Sequence, residues 1–205
     1  MKKQSANFLL LITIGVALIY QILSFINLPE ILHVILGTVW NLVFAFIAGY
    51  YLVRKDFLNQ FKYFNFKSFA WGLPLVLLSG MLFSFLYSLI FGQPTSNAIN
   101  DTLSVKMILF QVPFMLMGEE LLSTNILIAL QKKGLSFFWS TIICSILFAF
   151  WHIPAYGFHP IQLIFTLAPA RLALNYVWKK SSSVWVSWIC HFIYDSLGFI
   201  IFFLK

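Results

Sequence analysis

Runs of about twenty consecutive apolar residues recur along the whole 205-residue chain. At 1.5 Å of rise per residue, each is long enough to cross the roughly 30 Å hydrocarbon core of a bilayer as a helix. Backbone in hydrocarbon must satisfy its own N–H and C=O groups, which leaves helices and closed barrels as the spanning architectures, and runs of this length select the helix. Seven runs are found, at about 6–26, 31–53, 69–91, 107–131, 135–153, 160–178 and 183–204. The expected fold class is all-α, a polytopic transmembrane helical bundle of about seven spans. Charged residues make up only 9% of the chain, against about 25% in a soluble domain. No polar stretch between the runs is long enough to build a soluble domain, so residues 1–205 read as a single membrane domain.

The net charge of +7 does not point to nucleic acid, because the basic residues form short clusters between spans and no exposed stripe. Lys2 and Lys3, then Arg54, Lys55, Lys62 and Lys67, then Lys132 and Lys133, then Lys179 and Lys180 all fall on one side of the alternating spans. The positive-inside rule makes that side cytoplasmic and places the N-terminus inside. The first run is longer than a signal h-region and lacks a small-x-small cleavage site, so it is expected to remain as a span. Phe57, Phe61 and Phe64 recur at helical spacing, as in a short helix lying in the headgroup layer, the alternative being a plain aromatic-rich linker. Cys144 and Cys190 lie inside apolar runs and read as packing residues.

The informative residues are those that hydrocarbon disfavours: Glu119 and Glu120 in the fourth run, His152 closing the fifth, Arg171 in the sixth, His191 and Asp195 in the seventh. A charge near mid-span costs about 2.5–3.5 kcal/mol on insertion scales, so several together must pair or meet in a polar cavity inside the bundle. His191 and Asp195, four apart, share one helix face, which also carries Ser187. Such residues can also pair merely to lock helices together. Pro113 and Pro169 each remove a backbone hydrogen bond and are expected to bend their helices beside Glu119 and Arg171.

In order along the chain stand Glu119-Glu120, then Phe148-Ala149-Phe150-Trp151-His152, then His191-Phe192-Ile193-Tyr194-Asp195. This trio resembles the motifs EExxxR, FxxxH and Hxxx(N/D) of the CPBP family, the CAAX proteases and bacteriocin-processing enzymes. The resemblance covers about 119–198, inside a motif-bearing core of about 107–204. It implies an intramembrane endopeptidase in which Glu119 is the general base, His152 holds and polarises the water, and His191 and Asp195 face the scissile carbonyl. It also implies a membrane-associated or lipid-modified peptide as substrate. The alternative is a non-proteolytic bacteriocin self-immunity protein on the same scaffold.

No cofactor is demanded. Two histidines and a carboxylate are a known catalytic zinc set, so His152, His191 and Asp195 are the candidate ligands if zinc is used, although no HExxH is present. The many Phe, Ile and Lys residues suggest an integral protein of a bacterial cell membrane. One departure from the pattern matters: Thr124 stands where the motif has arginine. Glu120 then lacks a cation one turn along its own helix and needs another partner, and Arg171 is the one basic residue well inside a run. Arg171 is therefore expected to pair with Glu120 as a supporting residue, the alternative being that it snorkels to the headgroups.

Overall fold

The computed structural model describes residues 3–23 and 25–203. Among them the regular elements are helices only. In chain order these are α1 (Lys3–Leu23), α2 (Glu30–Asn59), α3 (Phe66–Phe91), a 3-10 turn at Ala98–Asp101, α4 (Val105–Phe110), α5 (Val112–Lys132), α6 (Phe137–Trp151), α7 (Ile153–Tyr156), α8 (Pro160–Thr166), α9 (Ala168–Ser181) and α10 (Val184–Phe203). The all-α bundle expected from hydropathy is present, and five helices, α1, α2, α3, α5 and α10, are long and apolar enough to cross a membrane.

The fifth and sixth runs are organised differently from uninterrupted spans. The fifth is the 15-residue α6, which stops at Trp151 because Pro154 follows within one turn. The sixth is broken at Leu167 into α8 and α9, with Pro169 in the first turn of α9. There its missing N–H costs nothing. Pro113 acts in the same way: the fourth run is broken at Gln111, and α5 restarts with Pro113 in its first turn. Each proline thus divides a run instead of bending it, and each break lies within a few residues of a charged group.

α5 is the central helix. Every residue from Glu120 to Leu130 is buried, which explains why its polar and apolar residues are not sorted onto two faces. It packs against α1, α2, α6 and α10, while α9 is enclosed by α3, α6 and α10. Gly118 lets α5 approach α2 closely, since a Cβ there would lie 2.7 Å from the backbone nitrogen of Leu42. Small residues at such crossings are how helices associate where lipid supplies no hydrophobic drive. Polar side chains reinforce the contacts: Asn125 donates to the Ala45 carbonyl at 2.8 Å, and Trp40 of α2 donates to the Val16 carbonyl of α1 at 3.0 Å.

The expected headgroup-layer helix around Phe57 is not seen. α2 runs on to Asn59 through a kink at Val53, and Phe57 is fully buried, edge-on to Phe46 and Phe61. The kink turns this face inward over Gly49, whose missing side chain makes the room. The basic clusters after α1 do gather at one end, whereas Lys2 and the side chain of Lys3 lie outside the described residues. Lys132 pairs with Asp56, Lys179 donates to Gln131, and the Val184 N–H reaches the Gln60 carbonyl. The opposite end is held by Thr95 of the α3–α4 connection, which bonds Gln162 of α8 and the Tyr156 carbonyl.

Candidate active site

α5 presents Glu119 and Glu120 on its third turn, and adjacent helical residues point about 100° apart. The two carboxylates therefore enter different surroundings. Glu120 faces the α6–α9–α10 side and is fully buried. Arg171, also fully buried, donates to it from α9 in a two-pronged contact, Nη1 to Oε1 at 2.5 Å and Nη2 to Oε2 at 3.1 Å. This fork geometry is the strongest form of an arginine–carboxylate pair. The interaction that Thr124 does not supply comes from another helix, and Thr124 bonds the Leu121 carbonyl of its own turn.

Arg171 is itself held. Its Nε donates to Asn175 Oδ1 at 2.9 Å, and Asn175 Nδ2 donates to Thr141 Oγ1 at 2.8 Å on α6. The sequence reading passed over Asn175 and Thr141. The signal was available, since Asn175 lies one turn after Arg171 in an apolar run.

His191 connects the two glutamates. Its Nδ1 lies 3.0 Å from Glu120 Oε1, and because a carboxylate paired with arginine can only accept, Nδ1 carries the hydrogen. Its Nε2 faces the other way, 3.9 Å from Glu119 Oε2 and 3.7 Å from Asp195 Oδ2. Glu119 Oε2 is buried and has no hydrogen-bond partner among the described residues. Glu119 and Asp195 nevertheless keep 22% and 27% of their side-chain surface accessible, whereas Glu120 keeps none. The cluster thus has a closed, fully paired side at Glu120 and an accessible side at Glu119 and Asp195.

His152 caps α6, and its Nδ1 lies 2.8 Å from the Phe148 carbonyl. A carbonyl accepts, so Nδ1 carries the hydrogen and Nε2 is left with its lone pair. Asp195 lies within electrostatic range of His152 and of Glu119. Phe148 supplies the wall between these groups, with ring centroids 4.6 Å from His152 and 6.0 Å from His191 and the Arg171 guanidinium 5.4 Å over its face. All six residues singled out from sequence, Glu119, Glu120, His152, Arg171, His191 and Asp195, therefore belong to one neighbourhood. For the candidate zinc set the geometry differs: among the described residues no three His, Cys, Asp or Glu side chains converge as metal ligands.

Fold and cluster together define an integral membrane protein with a hydrogen-bonded ionic site enclosed by its helices. Residues 101–197, a stretch that holds every residue of the cluster, match the family model of Type II CAAX prenyl endopeptidase Rce1-like proteins. No curated protein and no solved structure is significantly similar to it.

Proposed function

We propose that the chain is an intramembrane endopeptidase that hydrolyses a peptide bond with a water activated by Glu119 and His152. The observation that carries this reading is the unequal fate of two adjacent glutamates. Glu120 is saturated by Arg171 and His191, whereas Glu119 has a carboxylate oxygen beside His191 Nε2 that is unpartnered among the described residues. Insertion of a carboxylate into hydrocarbon is costly, and leaving one oxygen without a partner adds to that cost, which suits a group retained for chemistry.

In the proposed reaction a water donates one hydrogen bond to Glu119 and another to the free Nε2 lone pair of His152. Glu119 takes a proton as the water oxygen bonds to the scissile carbonyl carbon, and the carbonyl oxygen becomes an oxyanion. His191, as an imidazolium with Nδ1–H on Glu120, presents Nε2–H to that oxyanion. Asp195, with Oδ2 3.7 Å from His191 Nε2, stabilises the imidazolium by its charge, since an ionised aspartate has no hydrogen to donate. The C–N bond then breaks, and protonated Glu119 returns its proton to the leaving amine. Substrates in this reading are membrane-associated or lipid-modified peptides, which can reach a site enclosed by spans.

Cleavage of prenylated peptides by purified protein tests the assignment. Glu119→Gln and His152→Ala should each lower turnover by at least about a hundredfold, the usual worth of a positioned acid–base group, with membrane abundance unchanged. Cleavage surviving in both variants would show that these residues are not the catalytic pair. If the protein instead confers bacteriocin resistance that persists without Glu119, His152 and His191, it acts by binding.

A further inference from the structure

The C-terminal turns of α2, α5 and α9 border an open cavity of about 700 Å³ at the basic end of the bundle. Lys62, Lys132 and Lys179 line it with a single carboxylate, Asp56, and none of the six cluster residues takes part. Asp56 is matched by Lys132, and among the described residues Lys179 meets the neutral amide of Gln131 and the face of Phe137. Lys62 is exposed and has no side-chain partner among the described residues. Balancing helix C-termini does not account for this surplus. Three C-termini carry about half a negative charge each, whereas residues 54–63, 131–133 and 178–184 hold seven basic side chains and one acidic.

Gln60 supplies an independent sign of a ligand. It forms part of the cavity wall and is 3% exposed. Its Oε1 accepts from Trp178 Nε1–H at 3.0 Å, and because an indole N–H only donates, the amide orientation is fixed. Nε2 is thereby left buried with no partner among the described residues, a donor that needs an acceptor. Hydrogen bonds from Val184 N–H to the Gln60 carbonyl and from Ser183 Oγ to the Tyr63 carbonyl hold the wall in place.

A second cavity, of about 430 Å³, adjoins the first, and the two share Lys62 and Tyr63. Its other walls are Phe61, Phe64, Trp185, Trp188 and Ile189. A cationic, donor-lined chamber beside an aromatic one is complementary to a molecule with an anionic head and an apolar tail. We infer that this end of the bundle binds an anionic phospholipid, its phosphate against Lys62, Lys179 and Gln60 and an acyl chain in the aromatic groove. Basic pockets between spanning helices recognise such headgroups through charge and hydrogen bonds together.

Native mass spectrometry of the purified full chain tests this, with phosphatidylglycerol and phosphatidylcholine of identical acyl chains as competing probes. Retention of one phosphatidylglycerol in preference to phosphatidylcholine is expected. Lys62→Gln, an exposed change that breaks no bond within the bundle, should weaken that retention about fivefold, the equivalent of the ~1 kcal/mol that a basic side chain contributes near an anionic surface. Lys62→Gln combined with Lys179→Gln should weaken it further, while Lys106→Gln at the opposite end should not. Equal retention of the two lipids, or retention unchanged in the double variant, would overturn the inference. Inorganic phosphate that raised the melting temperature as much as phosphatidylglycerol did would assign the site to free phosphate and remove the lipid.

Discussion

Thr124 and Arg171 show how one ion pair can be kept while its address changes. In the family pattern the arginine sits four residues after the second glutamate, so both charges belong to one helix. In this chain α9 contributes the guanidinium, and Asn175 and Thr141 orient it. Breaking a buried pair by removing one partner costs about 3–5 kcal/mol, whereas replacing both partners by apolar residues is often neutral. Arg171→Met should therefore lower the melting temperature in detergent sharply, and Glu120→Met with Arg171→Met should recover most of that loss. Placing the arginine back in its motif position, as Thr124→Arg in the Arg171→Met background, should also recover part of it. Single and double variants of equal stability would mean that the contact does not stabilise the bundle.

At the scale of elements, the crossing of α2 and α5 decides where both glutamates point. Gly118 immediately precedes Glu119, and a methyl group there meets backbone of α2, which no rotamer change can relieve. Gly118→Ala should cost about 1–3 kcal/mol as an overpacking change and should impair cleavage as well, because Glu119 would move with the displaced turn. Gly15→Ala and Gly37→Ala meet nothing within 4 Å, so they should be neutral or stabilising by up to about 1 kcal/mol through helix propensity. Thermal unfolding of the three variants in one detergent makes the comparison. Equal behaviour would show that the crossing tolerates a Cβ and does not position the site. The prolines act at this scale too: the breaks at Gln111 and Leu167 start α5 and α9 near Glu119 and Arg171, so each charge enters within about two turns of a helix end.

Across the whole molecule, Lys132 and Lys179 lie at the same end, since Lys179 reaches Gln131 and Lys132 reaches Asp56. We propose that this end faces the cytoplasm, from the excess of basic residues there. In intact cells a membrane-impermeant thiol reagent should label a cysteine at Asn97 and leave cysteines at Lys132 and Lys179 unlabelled until the membrane is opened. Native Cys144 and Cys190 are both buried and should not interfere. Labelling of Lys132 and Lys179 from opposite sides would contradict the bundle itself, whereas labelling of both from outside would reverse only its orientation.

The sequence by itself determined the class of fold, because hydrocarbon admits few ways to satisfy a backbone and twenty-residue apolar runs choose among them. It also marked the candidate site, because charges in such runs are costly enough to need a reason. Glu119, His152, His191 and Asp195 could be singled out before any helix was placed. Only the tertiary structure decided the rest, since these outcomes depend on which helices are neighbours. Local pattern assigns Phe57 to the headgroup layer, but packing over Gly49 buries it. Hydropathy reads 160–178 as one span, yet the break before Pro169 makes two helices. Glu119 and Glu120 are equivalent in sequence and become different only because α9 and α10 meet one face of α5, pairing Glu120 and leaving an oxygen of Glu119 without a partner among the described residues. Hydrophobicity is a property of each segment, whereas the pairing of buried charges belongs to the contacts between segments.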